Sequence, residues 1–356
     1  MSLVDRCRSG IVPTVFVLVL ALSVVAPVAV SHQVSALQGV LDRYGFRGSV
    51  VASKGERPYF DSRLAGDTKT EAPWRWASVT KQVIATLVMQ EVAAGRIDLD
   101  KPVLHFLPGF KSANAGRMTV RNLLRHQTGL PNPDEVPGFY AAGFSGSRDP
   151  LTGYCAGPVT GPAGNAWAYN NCDYMVAGEL LRAVTGKSWH TLVAERIAGP
   201  LELTSLEAFP GTTPTVPGFI AGKPEPAMAL EAFGAAGGLY GTAFDLWQFD
   251  RALLSGRLLP AAARSELWKG DAALGFIALG QWAFDAPLKS CAQPVRLIER
   301  RGAIGGVQVR NIIAPDRDAI VVAFTNTADF EFGEIWQGRG FSHDLLDAAL
   351  CGDGKP

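Results

Sequence analysis

Trp76-Ala77-Ser78-Val79-Thr80-Lys81-Gln82 opens an apolar run over 83–94 whose spacing predicts a helix. Residues three apart on a helix share a face, so the Ser78 hydroxyl and the Lys81 amine can meet near the N-terminus. Serine becomes a nucleophile when a neighbouring base takes its proton, and a partly desolvated lysine is neutral often enough to do so. The helix N-terminus would favour the alkoxide that forms. A surface serine and lysine one turn apart give the same four-residue pattern, so its weight depends on what accompanies it.

Two further stretches supply partners. Tyr169-Asn170-Asn171 stands where a long Pro/Gly-rich loop, 131–168, meets a helix predicted over 171–185. A tyrosine hydroxyl beside a lysine ammonium has a lowered pKa and can relay a proton from the serine to a leaving group. The Asn171 amide can orient Lys81 and hold a substrate carbonyl. The plainer reading makes Asn171 a helix cap and Tyr169 a packing residue. Glu299-Arg300-Arg301-Gly302-Ala303-Ile304-Gly305-Gly306 ends one β-rich run in a glycine turn. Backbone amides there can complete an oxyanion hole with that of Ser78, and Arg300 or Arg301 can offer a cation to a carboxylate; an ordinary hairpin with surface arginines reads the same.

Around these stretches the chain runs strands, many helices, strands, helix. A short helix over 34–44 precedes a hairpin over 48–53 and 58–64; helices are predicted at 119–130, 189–197 and 243–254. β-rich runs at 295–300, 308–314 and 319–325 are separated by tight turns, and 336–350 reads as a closing helix. The fold class expected is α+β: an antiparallel sheet, from about 32–75 and 270–356, flanked by helices, with a mostly helical lobe over about 76–269. A ligand site is expected in the cleft between them.

The chain resembles the serine β-lactamase and penicillin-binding superfamily. Within it, the similarity is to the branch of class C β-lactamases, D-alanyl-D-alanine carboxypeptidases, D-aminopeptidases and family VIII esterases. The resemblance rests on Trp76-Ala-Ser-Val-Thr-Lys81, Gly95-Arg-Ile-Asp-Leu-Asp-Lys-Pro102, Leu123-Leu-Arg-His-Gln-Thr-Gly-Leu-Pro131, Tyr169-Asn-Asn171 and Gly237-Gly-Leu-Tyr-Gly-Thr242 with Asp245, in the family's order. It implies an acyl-enzyme hydrolase in which Ser78 is the nucleophile, Lys81 and Tyr169 a coupled proton-transfer pair, and Asn171 a substrate-binding residue. Arg300, Gly302 and Ala303 would line the substrate, with the Ser78 and Ala303 amides forming the oxyanion hole. The third motif departs from the pattern: Arg300-Arg301-Gly302 stands where relatives carry Lys-Thr-Gly or His-x-Gly, and arginine keeps the charge without giving up a proton. The expected substrate is therefore a small ester or peptide-like amide ahead of a β-lactam. The rival from another class is a non-catalytic module that senses or traps an acyl ligand.

Other classes fit less well. Lys and Arg total 33 against 33 Asp and Glu, with no basic or acidic block, which gives no footprint for nucleic acid. There is no Gly-x-Ser-x-Gly elbow, and the five histidines are scattered, so no metal or cofactor is expected. Arg6 and Arg8 precede an apolar run over 11–30, and Ala29-Val30-Ser31 offers small residues for cleavage. Residues 1–31 are thus read as an export signal and 32–356 as a periplasmic or extracellular domain with no membrane contact beyond that signal; an uncleaved anchor is the other reading. In that setting Cys155, Cys172, Cys291 and Cys351 admit three pairings or free thiols. Cys155 with Cys172 and Cys291 with Cys351 is the pairing expected, though spacing alone does not choose.

Overall fold

The computed structural model describes residues 26–62, 72–211 and 213–351. Of the expected export segment, residues 1–25 lie outside the described residues, and 26–31 begin a helix, Ala26–Tyr44.

Six antiparallel strands form the main sheet. In spatial order they are Pro58–Ser62, Gly48–Lys54, Ala319–Thr325, Val307–Ala314, Val295–Ile304 and Trp282–Ala286. The two-residue periodicity of a strand sends neighbouring side chains to opposite faces. Val50, Ala52, Val321 and Ala323 accordingly pack with Leu37, Leu345 and Leu346 of the N- and C-terminal helices. Val51, Ile320, Val322 and Phe324 pack on the other side with Val83, Leu87 and Phe249 of the helical region. Because both faces are covered, Ala319–Thr325 is buried along its whole length and reads as a continuous apolar run rather than an alternating one.

The helix after Ser78, Thr80–Ala93, is buried on nearly all sides, as a helix apolar around its circumference must be. It packs between the sheet and the helix Cys172–Thr185. The fold is thus mixed α and antiparallel β, as the sequence order implies.

Several boundaries differ from expectation. The helix predicted over 119–130 stops after Leu124. Thr119 and Asn122 form a reciprocal capping box, but His126 takes a left-handed backbone at φ +58°, and its ring is drawn onto buried Asp173. The closing helix begins at Phe341 rather than 336, because Gly338 and Gly340 have φ of +67° and +95° and interrupt helical geometry. The edge strand Trp282–Ala286 had no β signal long enough to single out. Pro58–Ser62 forms the second hairpin strand; residues 63 and 64 of the expected run lie outside the described residues. Cys155 is bonded to Cys172 and Cys291 to Cys351.

Candidate active site

Ser78 sits in a single 3-10 turn, Ala77–Val79, immediately before its helix. Ala77 adopts φ +47°, an uncommon left-handed conformation for a side-chain-bearing residue. The turn is fixed on both flanks: before it the Trp76 amide donates to the Leu239 carbonyl at 2.9 Å and the Trp76 indole to the Gly241 carbonyl at 3.2 Å, and after it the Thr80 hydroxyl oxygen accepts from the Leu239 amide at 3.1 Å. The glycine-rich stretch 237–242 therefore forms the bed on which the turn rests.

Lys81, one turn on, is fully buried. Its Nζ donates to Asn171 Oδ1 and to the Ala236 carbonyl, each at 2.7 Å, and lies 3.2 Å from Ser78 Oγ. Burial pulls its pKa down to about 8, with Arg300 pushing the same way and Tyr169 opposing. The Tyr169 hydroxyl lies 2.6 Å from Ser78 Oγ. Burial alone would raise that phenol, but the charges of Lys81 and Arg300 outweigh it and leave the pKa below the ordinary tyrosine value. A lysine shifted down and a tyrosine shifted down, both against one serine hydroxyl, are the environment a proton-transfer pair requires.

Tyr169 is delivered by backbone clamping of the long loop. The amides of Thr160, Gly164 and Ala168 donate to the carbonyls of Gly129, Gln127 and His126 at 2.8, 2.7 and 2.8 Å. The His-Gln-Thr-Gly stretch is therefore a docking rail rather than the end of a helix. The His126 ring packs on the Tyr169 ring with centroids 4.7 Å apart. His126 Nδ1 meets Asp173 at 2.9 Å, and burial holds the imidazole well below, and the carboxyl well above, their usual ranges. The Cys155–Cys172 bond fastens the loop to the first residue of the helix Cys172–Thr185.

Asn171 occupies the cap position of its helix, yet its side chain makes no cap hydrogen bond. Besides accepting from Lys81, its Nδ2 donates to Asp134 Oδ1 and to the Tyr140 hydroxyl, both at 2.9 Å. The simple capping reading is thereby overturned. Asp134 and Tyr140 were not singled out from sequence, because they lie in the aperiodic loop. Tyr140 is held flat against Phe233, centroids 3.8 Å apart.

The strand Val295–Ile304 forms the opposite wall. Its pairing with Trp282–Ala286 ends at Glu299, so residues 300–304 extend past the edge strand. A bare Cβ at Gly302 would stand 2.8 Å from the Ser78 nitrogen and 2.9 Å from the Trp76 carbonyl, so only glycine lets the strand come this close. Ile304 pairs with Val307 across the Gly305-Gly306 turn, and Ala303 with Gln308. In antiparallel alternation the pair next to a two-residue turn is hydrogen-bonded, and the following pair is not. The Ala303 amide therefore points away from its partner strand, at the edge that Trp282–Ala286 leaves uncovered.

Arg300 and Arg301 diverge, as successive strand residues must. Arg300, buried, donates through Nε to the Ser78 carbonyl at 2.8 Å and through Nη2 to the Tyr169 hydroxyl at 3.3 Å, while its Nη1 has no partner among the described residues. Arg301 is committed to Glu334 at 2.7 Å and Glu299 at 3.0 Å, so of the two it is Arg300 that contacts Ser78 and Tyr169. Together these walls enclose a cleft of about 700 Å³ in which Ser78, Tyr169, Asn171, Asp134, Arg300 and Ala303 converge. Among the described residues no cluster of His, Cys, Asp and Glu has a metal-binding arrangement, and no helix is long and apolar enough to cross a membrane.

Comparison with known proteins agrees with this architecture. The beta-lactamase family model matches residues 35–339. Penicillin-binding protein 4 of Amycolatopsis lactamdurans is 29% identical over 212 residues, 55% of this chain and 54% of that protein, so the match spans about half of that relative. The putative penicillin-binding protein PbpX of Bacillus subtilis is 23% identical over 287 residues, 78% of this chain and 68% of that protein. Among solved structures, a D-stereospecific amidohydrolase from Streptomyces superposes with a TM-score of 0.72 and 26% identity, covering 90% of this chain and 99% of its own. The D-amino acid amidase of Ochrobactrum anthropi superposes with 0.73 at 24% identity, covering 89% and 98%, a likeness of fold. With most of its length matched by the family model, and with Ser-x-x-Lys, Tyr-x-Asn and a glycine-bearing strand gathered on one cleft, the chain belongs to the beta-lactamase family of serine hydrolases.

Proposed function

We propose that the protein is an exported serine hydrolase acting through a Ser78 acyl-enzyme on small amides or esters, with amino-acid amides bearing a free ammonium the favoured class. The observation that carries the reading is the contact of Ser78 Oγ with both the Tyr169 hydroxyl, at 2.6 Å, and Lys81 Nζ, at 3.2 Å. Ser78 Oγ attacks the acyl carbon, and its proton passes to the coupled Tyr169–Lys81 pair. The carbonyl oxygen becomes an oxyanion accepting from the Ser78 and Ala303 amides. The pair then protonates the leaving amine or alcohol. Water, deprotonated by the same pair, attacks the acyl-enzyme and releases the acid with Ser78 restored.

The acidic Asp134 on the cleft wall supports the substrate class. It lies one hydrogen bond beyond Asn171, at 2.9 Å, and lines the same cleft as Ser78 and Arg300. A substrate α-ammonium two bonds from its carbonyl carbon would reach such a carboxylate while the carbonyl faces Ser78. The D-stereospecific amidohydrolase and the D-amino acid amidase among the structural neighbours are in keeping with this reading. Arg300 in the third motif lines the cleft and would place its positive charge beside a carbonyl or carboxylate of the leaving group.

The test is a fluorophosphonate label followed by a substrate panel of amino-acid amides, p-nitrophenyl esters and nitrocefin. Labelling abolished by Ser78→Ala, with turnover of amides or esters, is expected. Labelling that survives Ser78→Ala sinks the assignment. Labelling without any turnover would favour the acyl-trapping module. Amino-terminal sequencing of the protein recovered outside the cytoplasm tests export, with His32 as the expected first residue.

A further inference from the structure

The Ser78 turn and the Gly305-Gly306 hairpin, which carry the two amides of the oxyanion hole proposed above, belong to different parts of the chain, and one ion pair joins them. Arg75, three residues before Ser78, is paired with Glu225; their side chains are 5% and 12% exposed. Arg75 Nη1 also donates to the Ile304 carbonyl at 3.3 Å. Glu225 in turn accepts the Gly306 amide at 2.7 Å and the Gly218 amide at 3.2 Å. The carboxylate thus grips the hairpin turn from one side while its partner arginine grips the residue after Ala303.

The fit is tight enough to dictate residue type. A Cβ on Gly305, at φ +58°, would fall 2.0 Å from Glu225 Oε2, and one on Gly218 would fall 2.4 Å from it. A Cβ on Gly306 would meet the Phe219 nitrogen at 2.1 Å. The segment 216–229 is itself anchored at both ends of this contact: Val216 N donates to the Pro73 carbonyl at 2.9 Å, Phe219 N to Asn326 at 2.8 Å and Ala229 N to Tyr140 at 2.7 Å. This stretch shows no helical or strand period in sequence. Its form follows from the hairpin it straps.

We propose that Arg75 and Glu225 are positioning residues for catalysis: the pair sets the separation between the Ser78 amide and the Ala303 amide, and so the strength of the oxyanion hole. A charge-assisted, largely buried pair holds geometry better than a neutral contact does, and a displacement of about 1 Å in such a site costs about 10²-fold in rate. The inference rests on the acyl-enzyme reading of the site.

The experiment compares wild type, Glu225→Ala, Glu225→Gln and Glu225→Asp on a matched ester and thionoester, since sulfur is a poor acceptor for oxyanion-hole amides. Glu225→Ala is expected to lower kcat on the ester by about 30- to 100-fold with KM changed less than about threefold. The ester-over-thionoester preference should fall by the same factor. Glu225→Gln, which keeps an acceptor for the Gly306 amide, should lie between, and Glu225→Asp should restore part of the loss. An unchanged preference, or an equal loss on both substrates, overturns the proposal. If Glu225→Ala does not fold, the preference measured on Glu225→Gln decides alone. Failure of wild type to label at Ser78 would instead overturn the functional reading beneath it.

Discussion

The Tyr169 hydroxyl stands 2.6 Å from Ser78 Oγ, although 91 residues separate the two in the chain. Tyr169 is held by its backbone rail and by the His126 ring as well as by the contacts of its hydroxyl. Tyr169→Phe should therefore fold as wild type while kcat falls by about 10²- to 10⁴-fold, the range for losing a positioned acid–base group. A fall of less than tenfold, with an unchanged melting curve, would remove Tyr169 from the proton-transfer pair.

The pH dependence follows from Lys81. Its pKa in the folded chain is pulled down by burial to about 8, so its neutral form becomes populated as pH rises through that value. Activity should rise along a limb with an apparent pKa near 8 that belongs to the Lys81–Tyr169 pair jointly. Stability should move the same way: between about 8 and the ordinary lysine value the unfolded chain binds the proton that the folded chain has released, so Lys81 contributes stability as pH rises across that window. A kcat/KM profile flat from pH 6 to 9 would contradict the assignment.

Gly302→Ala probes the approach of strand to nucleophile. The added methyl would meet the Ser78 nitrogen at 2.8 Å and the Trp76 carbonyl at 2.9 Å, both backbone atoms, so the strand has to retreat. A loss of about 10²-fold in kcat is expected. Equal kcat in the variant would show that the Ser78–Ala303 geometry is not required.

Asp134→Asn separates substrate classes. For amino-acid amides KM should rise by about tenfold or more, the cost of roughly 1.5 kcal/mol for a charged hydrogen bond. N-acetylated amides should be unaffected. Equal effects on both would mean that Asp134 acts through Asn171 and not on an ammonium.

The two disulfides should have separable effects. Removing Cys155–Cys172, which closes 17 residues beside Asn171, is expected to cost about 3 kcal/mol in the chain-entropy model and to slow Ser78 labelling. Removing Cys291–Cys351, which closes 60 residues, should cost about 4 kcal/mol and leave labelling unchanged, because it joins the sheet side to the terminal helix away from the cleft. Chemical denaturation with parallel labelling rates measures both.

Local pattern alone determined that Ser78 and Lys81 stand one turn apart at the start of a helix, that 319–325 is a strand, and that Gly305-Gly306 turns a hairpin. Those features depend on residues within a turn or two, where periodicity and φ preferences act directly. The family motifs likewise brought Tyr169, Asn171 and Arg300 under notice. Only the tertiary structure decided what Asn171 binds, which arginine faces the nucleophile, and that Asp134, Tyr140 and Glu225 border or brace the cleft. Asp134, Tyr140 and Glu225 lie in aperiodic segments whose shapes are set by backbone hydrogen bonds and ion pairs to distant residues, such as Ala168 to His126 and Glu225 to Arg75. Contacts of that range leave no period in the sequence, because the residues they join are neighbours only after the chain has folded.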